Sequence, residues 1–161
     1  MNVDRPIALP DVEEIERPAA SRILATLIEA SPLAIVTFDP EGVVTMWNPA
    51  AERIFGITET EALGQSLDLI IPEPFRARHW AGYREVMRTG VTRYGTDILR
   101  VPAMRKDGRR ISIAFTVALL KDGGGRVTGI AAIMRDETKR WEEEQALRRR
   151  LAELEKPKGS A

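Results

Sequence analysis

Three neighbouring segments in the C-terminal half of the chain alternate apolar and polar residues and are separated by glycine-containing turns. The segments run over about 92–105, 109–120 and 126–135, and the turns fall at 106–108 and 122–125. Alternation with a period of two, interrupted by Asp and Gly, is typical of antiparallel strands joined by hairpins. The sequence therefore predicts a three-stranded meander that any fold for this chain has to contain.

The middle segment of the meander is apolar on both faces. One face carries Ile111, Ile113, Phe115, Val117 and Leu119, and the other carries Ala114, Ala118 and Leu120. A sheet that is apolar on both faces needs a cover on each. We expect the N-terminal helix or a second copy of the chain to supply the second cover.

Helices are expected at both ends of the chain. The first covers about 19–30, where the apolar residues fall on one stripe. The last covers 137–155 and is highly charged, with Leu147, Leu151 and Leu154 at four-then-three spacing. This repeat spans fewer than three heptads, so a coiled coil built from it would be weak alone.

Two strands and several helices are predicted between the first helix and the meander. The strands cover about 33–39 and 43–47. Asn48 can cap a short helix that begins at Pro49, because a side-chain oxygen before the first turn accepts a free backbone N–H. A longer helix is expected over 73–89.

The composition restricts the class of protein. Hydrophobic residues make up 43% of the 161 residues, and 24 basic side chains balance 24 acidic ones. This balance disfavours a nucleic-acid binder, which normally carries a basic excess. No segment has the length and apolarity of a signal peptide or membrane span. There are no cysteines, which fits a reducing compartment, so we expect a cytoplasmic protein.

A series of short motifs accompanies this order of elements. They are Leu33–Asp39, Trp47-Asn48-Pro49-Ala50-Ala51 with Phe55-Gly56, Gly64, Ile71-Pro72-Glu73-Pro74, Arg105-Lys106-Asp107-Gly108 and Met134-Arg135-Asp136-Glu137-Thr138. With these motifs in this order, residues 22–140 resemble the PAS family. The resemblance implies an α+β PAS fold: a five-stranded antiparallel sheet with helices over one face, a pocket between them, and flanking N-terminal and C-terminal helices. It also implies a sensory and signalling role, not catalysis.

The resemblance divides the chain into five parts. We expect a flexible tail over 1–18, a flanking helix over 19–31, a PAS sensor domain over 32–136, a signalling helix over 137–155 and a tail over 156–161. The flanking helices and the exposed sheet face are expected to form a homodimer. The signalling helix is expected to act on a downstream protein that the sequence does not identify.

His79 is the only histidine of the chain and lies on the longer predicted helix. Phe75, His79, Gly82, Tyr83 and Val86 share one face of that helix, which should turn toward the sheet. An imidazole directed into an apolar pocket is a suitable axial ligand for haem iron. The structural alternative is a hydrogen-bonded or solvated histidine.

The position of His79 also resembles that of the iron ligand in haem-binding PAS domains. In the oxygen-sensing kinases and phosphodiesterases, this histidine follows the proline of an Ile-Pro or Met-Pro pair by seven residues, as His79 follows Pro72. The resemblance implies haem b bound through His79 and a sensor of a diatomic gas or redox state. The cofactor-binding residues expected from it are His79, Gly82, Tyr83, Arg84, Arg93, Leu99, Ala132 and Met134, with His79 as the metal ligand.

The chain departs from the oxygen-sensing relatives on the first strand of the meander. Those relatives have an arginine or methionine seven or nine residues before the lysine of Lys-Asp-Gly, where this chain has Leu99 and Asp97. Arg100 is one residue away and would face the opposite side of a regular strand. A donor for bound dioxygen is therefore missing or displaced, so carbon monoxide, nitric oxide, a redox change or differently held oxygen stay open.

The alternative function is a haem-free PAS module for dimerisation or interaction, which binds a small organic ligand, flavin or nothing. Trp47 and Asn48 are residue types found around flavin, although tryptophan packing in the core and asparagine capping a helix explain them better. An independent enzyme is disfavoured, since the chain offers no Cys nucleophile and a single His.

Overall fold

The meander and the N-terminal strand pair combine into one antiparallel sheet. The computed structural model describes residues 17–92 and 97–155. Its helices are α1 (Arg17–Ala30), α2 (Pro49–Phe55), α3 (Glu59–Ala62), α4 (Glu73–Thr89) and α5 (Thr138–Glu155). Its strands are β1 (Ala34–Phe38), β2 (Val44–Trp47), β3 (Leu99–Met104), β4 (Arg110–Lys121) and β5 (Val127–Asp136).

The five strands lie in the order β2-β1-β5-β4-β3, and all neighbours are antiparallel. β5 occupies the centre, where Ala132 lies between Val36 of β1 and Val117 of β4. The last strand of the meander therefore joins the two halves of the sheet. This arrangement confirms the predicted α+β fold with a five-stranded antiparallel sheet.

The first strand of the meander is shorter than the sequence pattern predicts. We expected it over about 92–105, but β3 begins at Leu99, residues 97 and 98 are not in a strand, and 93–96 lie outside the described residues. Its pairing with β4 ends where Leu99 lies opposite Phe115. Asp97 precedes the strand, and Asp is depleted from strands because its side chain competes for backbone hydrogen bonds.

The core lies on the inner face of the sheet, the face toward α2, α3 and α4. Its largest fully buried side chains are Trp47, Phe55, Val36 and Val44. The Trp47 and Phe55 rings are 5.3 Å apart, and the indole N–H donates to the Ile57 carbonyl at 2.9 Å. Burial of this cluster fixes α2 against β1 and β2.

Asn48 links α1, β1 and α2 through one side chain. Its Oδ1 accepts from the backbone N–H groups of Ala51 and Ile35, at 3.1 and 2.9 Å. Its Nδ2 donates to the carbonyls of Ile28 and Leu33, each at 3.0 Å. The predicted helix cap is confirmed, and the same amide also fastens the end of α1.

The outer face of the sheet and the apolar stripe of α1 both remain exposed in the single chain. On the sheet, Ile133 and Leu120 are 44% and 38% exposed. On α1, Ile23, Leu24 and Leu27 are between 57% and 61% exposed. We expected either α1 or a second copy of the chain to cover this face. Within one chain, α1 does not bury its apolar stripe there.

Candidate functional site

An apolar cavity of about 100 Å³ lies between α4 and the inner face of the sheet. The lining residues are Phe38, Leu67, Ile70, Ile71, His79, Tyr83, Val101, Pro102, Ala103, Ile113, Phe115, Val117, Ile130, Ala132 and Met134. His79 and Tyr83 are the only members with polar side chains, and both come from α4. The cavity is therefore an apolar chamber whose polar groups are confined to one wall.

His79 faces this chamber without a hydrogen bond at Nδ1, a nitrogen that is buried. Its ring meets the Trp80 ring edge-on at 5.1 Å and lies 5.9 Å from the Tyr83 ring. A buried nitrogen without a partner is unusual in a folded protein. It leaves this imidazole free to bind a group that enters the chamber.

Burial lowers the pKa of His79 below its ordinary value, since the chamber disfavours the charged imidazolium, and the Asp68 carboxylate opposes this effect. The neutral ring is the form that binds metals. At neutral pH, His79 is therefore in the protonation state that a metal ligand requires.

Trp80 and Tyr83 fasten α4 over the chamber. The Tyr83 hydroxyl donates to the Asp39 carbonyl at 2.5 Å, and the Trp80 indole N–H donates to Asp68 Oδ1 at 2.7 Å. The Trp80 ring also covers Gly42, where φ is +80° and a Cβ atom would overlap the ring. Burial and the nearby carboxylates of Asp39 and Glu41 raise the pKa of Tyr83, so its hydroxyl stays a donor.

The structure brings together four of the residues predicted to bind a cofactor. His79, Tyr83, Ala132 and Met134 line the chamber. Gly82 and Arg84 are exposed, and Leu99 is half-buried and outside the chamber lining. Arg93 lies outside the described residues.

Gly82 differs from the expectation that its side of α4 faces the sheet. A Cβ at Gly82 would meet no atom within 4 Å, so this side of the helix is open. Among the described residues of α4, only His79 and Tyr83 line the chamber, and they are one turn apart. Gly82 lies beside this pair on the solvent side.

Arg100 faces away from the chamber, as its offset on the strand predicts. Its Nε donates to Glu137 Oε2 at 3.0 Å across the outer face of the sheet. Within the described part of the chain, the β3 residues in the chamber wall are Val101, Pro102 and Ala103. The sheet side of the chamber therefore carries no guanidinium from β3.

A larger groove of about 580 Å³ lies between α5 and the outer face of β3 and β4. Its lining includes Arg100, Arg140, Glu137 and Glu144, whose charges already pair with one another. The inner chamber is the better candidate for ligand binding, despite its smaller size. It is apolar and is lined by His79, whose buried Nδ1 has no hydrogen-bond partner.

The junction between β5 and α5 is built from local hydrogen bonds. Thr138 N–H donates to Asp136 Oδ1 at 2.8 Å, and Ser112 N–H donates to the Thr138 hydroxyl at 3.0 Å. The Glu137 N–H donates to the Ser112 carbonyl at 2.8 Å. Asp136 and Thr138 thus tie the strand end to the helix start.

Sequence reasoning missed Asp68 and Trp80 as neighbours of the site. Trp80 directly follows His79, but its contact with Asp68 joins α4 to the turn before it. The one signal in the sequence for these neighbours was that Trp80 directly follows His79, the candidate ligand. For Trp47 and Asn48 the sequence offered two explanations, a flavin site or structural roles. In the structure, Trp47 packs in the core and Asn48 caps α2.

The donor set fits haem and does not fit a multidentate metal site. Within residues 17–92 and 97–155, no three His, Cys, Asp or Glu side chains cluster as potential metal ligands. Haem iron needs a single axial side chain from this wall and apolar surroundings for the ring. His79 has the chemistry of such a ligand and the chamber walls are apolar, but the volume of about 100 Å³ is too small to hold the ring without widening.

No helix in the described ranges is long and apolar enough to cross a membrane.

A five-stranded antiparallel sheet with helices on one face and an apolar chamber between them defines an α+β domain of the PAS type. Residues 28–142 match the family model described as the PAS fold. The chain belongs to the PAS family, and as such it is a sensory and signal-transduction module.

Two curated relatives are sensors. The chain is 32% identical to the sensor protein FixL of Bradyrhizobium diazoefficiens over 133 residues, which cover 82% of this chain and 25% of the relative. It is 26% identical to the oxygen sensor protein DosP of Escherichia coli over 106 residues, which cover 66% of this chain and 13% of the relative. The chain thus spans a quarter or less of the length of these relatives.

Solved structures support the fold. A PAS domain from Colwellia psychrerythraea superposes with a TM-score of 0.66 at 20% identity, covering 74% of this chain and 98% of that chain. An RNA-binding light-oxygen-voltage receptor gives a TM-score of 0.69 at 23% identity, covering 94% of this chain and 41% of that chain.

The link between Asp68 and His79 leads to a test by pH titration. In Asp68→Asn, the pKa of His79 should fall further below its ordinary value, because the carboxylate that favours the imidazolium is gone. The amide oxygen can still accept the Trp80 hydrogen bond. The single histidine gives one set of imidazole NMR signals for the measurement. Glu143→Gln on α5 is the control, and a pKa of His79 that rises or stays constant in Asp68→Asn would contradict the prediction.

The lowered pKa of His79 also fixes the sign of a pH effect on stability. In the unfolded chain this histidine titrates near 6.5, so below that pH the unfolded state binds the proton more readily than the folded state does. The free energy of unfolding therefore decreases as the pH falls from about 6.5 toward the lower pKa of the folded state. His79→Gln should remove this part of the decrease in denaturant melts.

Proposed function

We propose that this PAS module binds haem b through His79 and senses a diatomic gas or a redox change. The observation that carries the proposal is a neutral, half-buried imidazole whose Nδ1 has no partner in an apolar chamber. The seven-residue interval from Pro72, shared with haem-binding PAS domains, supports it. So does the similarity to an oxygen sensor protein.

In this proposal, His79 holds the iron, and Tyr83, Ala132 and Met134 line the surroundings of the ring. Haem, when bound, supplies an iron centre that takes up diatomic gases and changes oxidation state. The apolar walls exclude water from that centre. Arg84, which is exposed, and Arg93, which lies outside the described residues, are the proposed partners for the carboxylates at the haem edge.

The chamber has to widen to accept haem, since its volume of about 100 Å³ is below the roughly 300–1,000 Å³ of typical cofactor sites. α4 carries the ligand and is fastened through Tyr83 to Asp39 and through Trp80 to Asp68. Because these two hydrogen bonds hold α4 in place, an outward movement of the edge strand β3, which contributes Val101 and Ala103 to the opposite wall, is the proposed route.

The chamber favours ligands that need no hydrogen-bond donor. The Tyr83 hydroxyl already donates to Asp39, and Arg100 faces the outer side of the sheet. Carbon monoxide, nitric oxide and a redox change are therefore the preferred signals. Oxygen would have to be held by a donor other than Arg100.

A haem-free interaction module is the second candidate, and the exposed stripe of α1 favours it. Ile23, Leu24 and Leu27 on α1 and Ile133 on the sheet are apolar and more than 40% exposed. A second copy that covers them would form a homodimer through the flanking helices and the sheet face. The chamber would then hold a small organic ligand, flavin or nothing.

The division of the chain into parts, its location and its downstream action belong to the same proposal. The tails cover 1–18 and 156–161, the flanking helix 19–31, the sensor domain 32–136 and the signalling helix 137–155. The module is proposed to be cytoplasmic and to act through the signalling helix on a downstream protein.

An absorption spectrum from about 300 to 700 nm distinguishes these functions. The purified chain titrated with haemin should develop a Soret band that saturates at one haem per chain. The same sample without haemin is the control and would show a flavin spectrum if flavin were bound. A chain that stays colourless at saturation, yet sediments as a dimer, would support the haem-free module.

A further inference from the structure

Glu137 is the only charged residue that the described part of the chain buries, with 8% of it exposed. A buried carboxylate is costly unless cations pair with it. Arg135, Arg100 and Arg140 approach it to 2.5, 3.0 and 3.7 Å. One carboxylate therefore gathers arginines from β5, β3 and α5. Burial raises the pKa of Glu137, but hydrogen bonds from Arg100 and Arg135 outweigh this effect and lower it overall.

Arg100 differs from the other two arginines in what it connects. Arg135 and Arg140 lie within three residues of Glu137 in the sequence and belong to the junction itself. Arg100 lies on β3, an edge strand whose only paired neighbour among the described strands is β4. The Arg100–Glu137 ion pair is thus a direct side-chain link from β3 to the start of α5.

The strand that carries Arg100 is also a wall of the inner chamber. Val101 and Ala103 line the chamber, while Arg100 points to the outer face beside them. A ligand larger than the chamber has to displace a wall, and an edge strand with one partner is among the elements that move at least cost. Any shift of β3 at Val101 also moves Arg100.

We propose that the Arg100–Glu137 ion pair couples occupancy of the inner chamber to the position of α5. The proposal relies on the proposed function only for the identity of the occupant. When Arg100 withdraws, Arg135 and Arg140 stay on the carboxylate, so Glu137 keeps partners in both states. The groove of about 580 Å³ beside α5 gives the helix room to change position. Such coupling acts in both directions, from chamber to helix and from helix to chamber.

A distance measurement on spin-labelled protein tests the coupling. The chain has no cysteine, so Lys121→Cys and Glu143→Cys at exposed positions can be labelled selectively. The distance between labels is measured with and without saturating haemin in three backgrounds: unmodified, Arg100→Gln and Arg140→Gln. Arg140→Gln is the matched control, since it removes a cation from the same carboxylate without touching β3.

We expect haemin to shift the distance in the unmodified and Arg140→Gln backgrounds. In Arg100→Gln the haemin-induced shift should be about half or less of the shift in the unmodified background, because the mutated pair carries the coupling. An undiminished shift in Arg100→Gln, or an equal reduction in Arg140→Gln, overturns the proposal.

Failure of haem binding is recognised separately, from the absence of a Soret band in the same samples. In that case, amide hydrogen exchange of the empty protein tests the link. Amide exchange in the first turn of α5 should be about fivefold faster in Arg100→Gln than in the unmodified protein, as expected for loss of a half-exposed ion pair. Arg109→Gln, which removes a pair to Asp107, should leave it unchanged. Equal rates in the two variants overturn the proposal.

Discussion

Replacing His79 with alanine is expected to weaken haemin binding by more than about 100-fold, because even the groups that merely orient metal ligands contribute about 10–100-fold. His79 is the only imidazole of the chain, and of the other chamber side chains with an oxygen or sulfur atom, Tyr83 already donates to Asp39 and Met134 offers a thioether. The apolar walls remain in the variant, so residual binding would reflect burial of the ring alone. Titration with haemin followed at the Soret maximum gives the dissociation constants.

Arg78→Ala on the exposed side of the same helix is the control and should bind haemin like the unmodified chain. Free imidazole added to His79→Ala should restore a Soret band, because the small ligand can occupy the space of the lost ring. Identical spectra and affinities for the unmodified chain and His79→Ala would remove the basis of the haem proposal.

Replacing Phe55 with alanine should lower the free energy of unfolding by about 3–5 kcal/mol, the usual cost of deleting a buried aromatic ring. Phe55 is fully buried and packs at 5.3 Å against Trp47, the largest residue of the core. The cavity left behind would also loosen α2 on the sheet. Urea unfolding, with the change in slope recorded, measures the loss.

Phe75→Ala is the matched control, since the same ring is 40% exposed at the start of α4. Its one described ring contact is the Arg110 guanidinium, 5.4 Å from the ring centre. Loss of this cation–π contact should cost no more than about 1 kcal/mol. Similar losses for both variants would mean that Phe55 is not the core residue that its burial indicates.

Local signals in the sequence were sufficient for most of the fold. α4 occupies 73–89 as predicted, because Pro72 precedes its first turn and Gly90 accepts a left-handed conformation at its end. Asn48 and Pro49 predicted the start of α2 for the same kind of reason. These rules act over a few residues and need no knowledge of the tertiary structure.

Non-local contacts set the limit of sequence reasoning at the site. Helical spacing placed His79, Gly82 and Tyr83 on one broad face, but the width of the chamber decides which of them reach it. The Asp68–Trp80 hydrogen bond spans twelve residues and the Arg100–Glu137 pair spans 37. Strand alternation predicted the side on which Arg100 lies, but not its partner, because the partner depends on how the sheet is assembled.

The four hydrogen bonds of Asn48 have a mechanical consequence. Both of its amide protons are used by carbonyls at Ile28 and Leu33, and its oxygen serves β1 and α2. A pivot of α1 at its C-terminal end would stretch the hydrogen bond to the Ile28 carbonyl. Because the same amide also serves β1 and α2, such a movement would be felt by the strand and the helix that Asn48 joins.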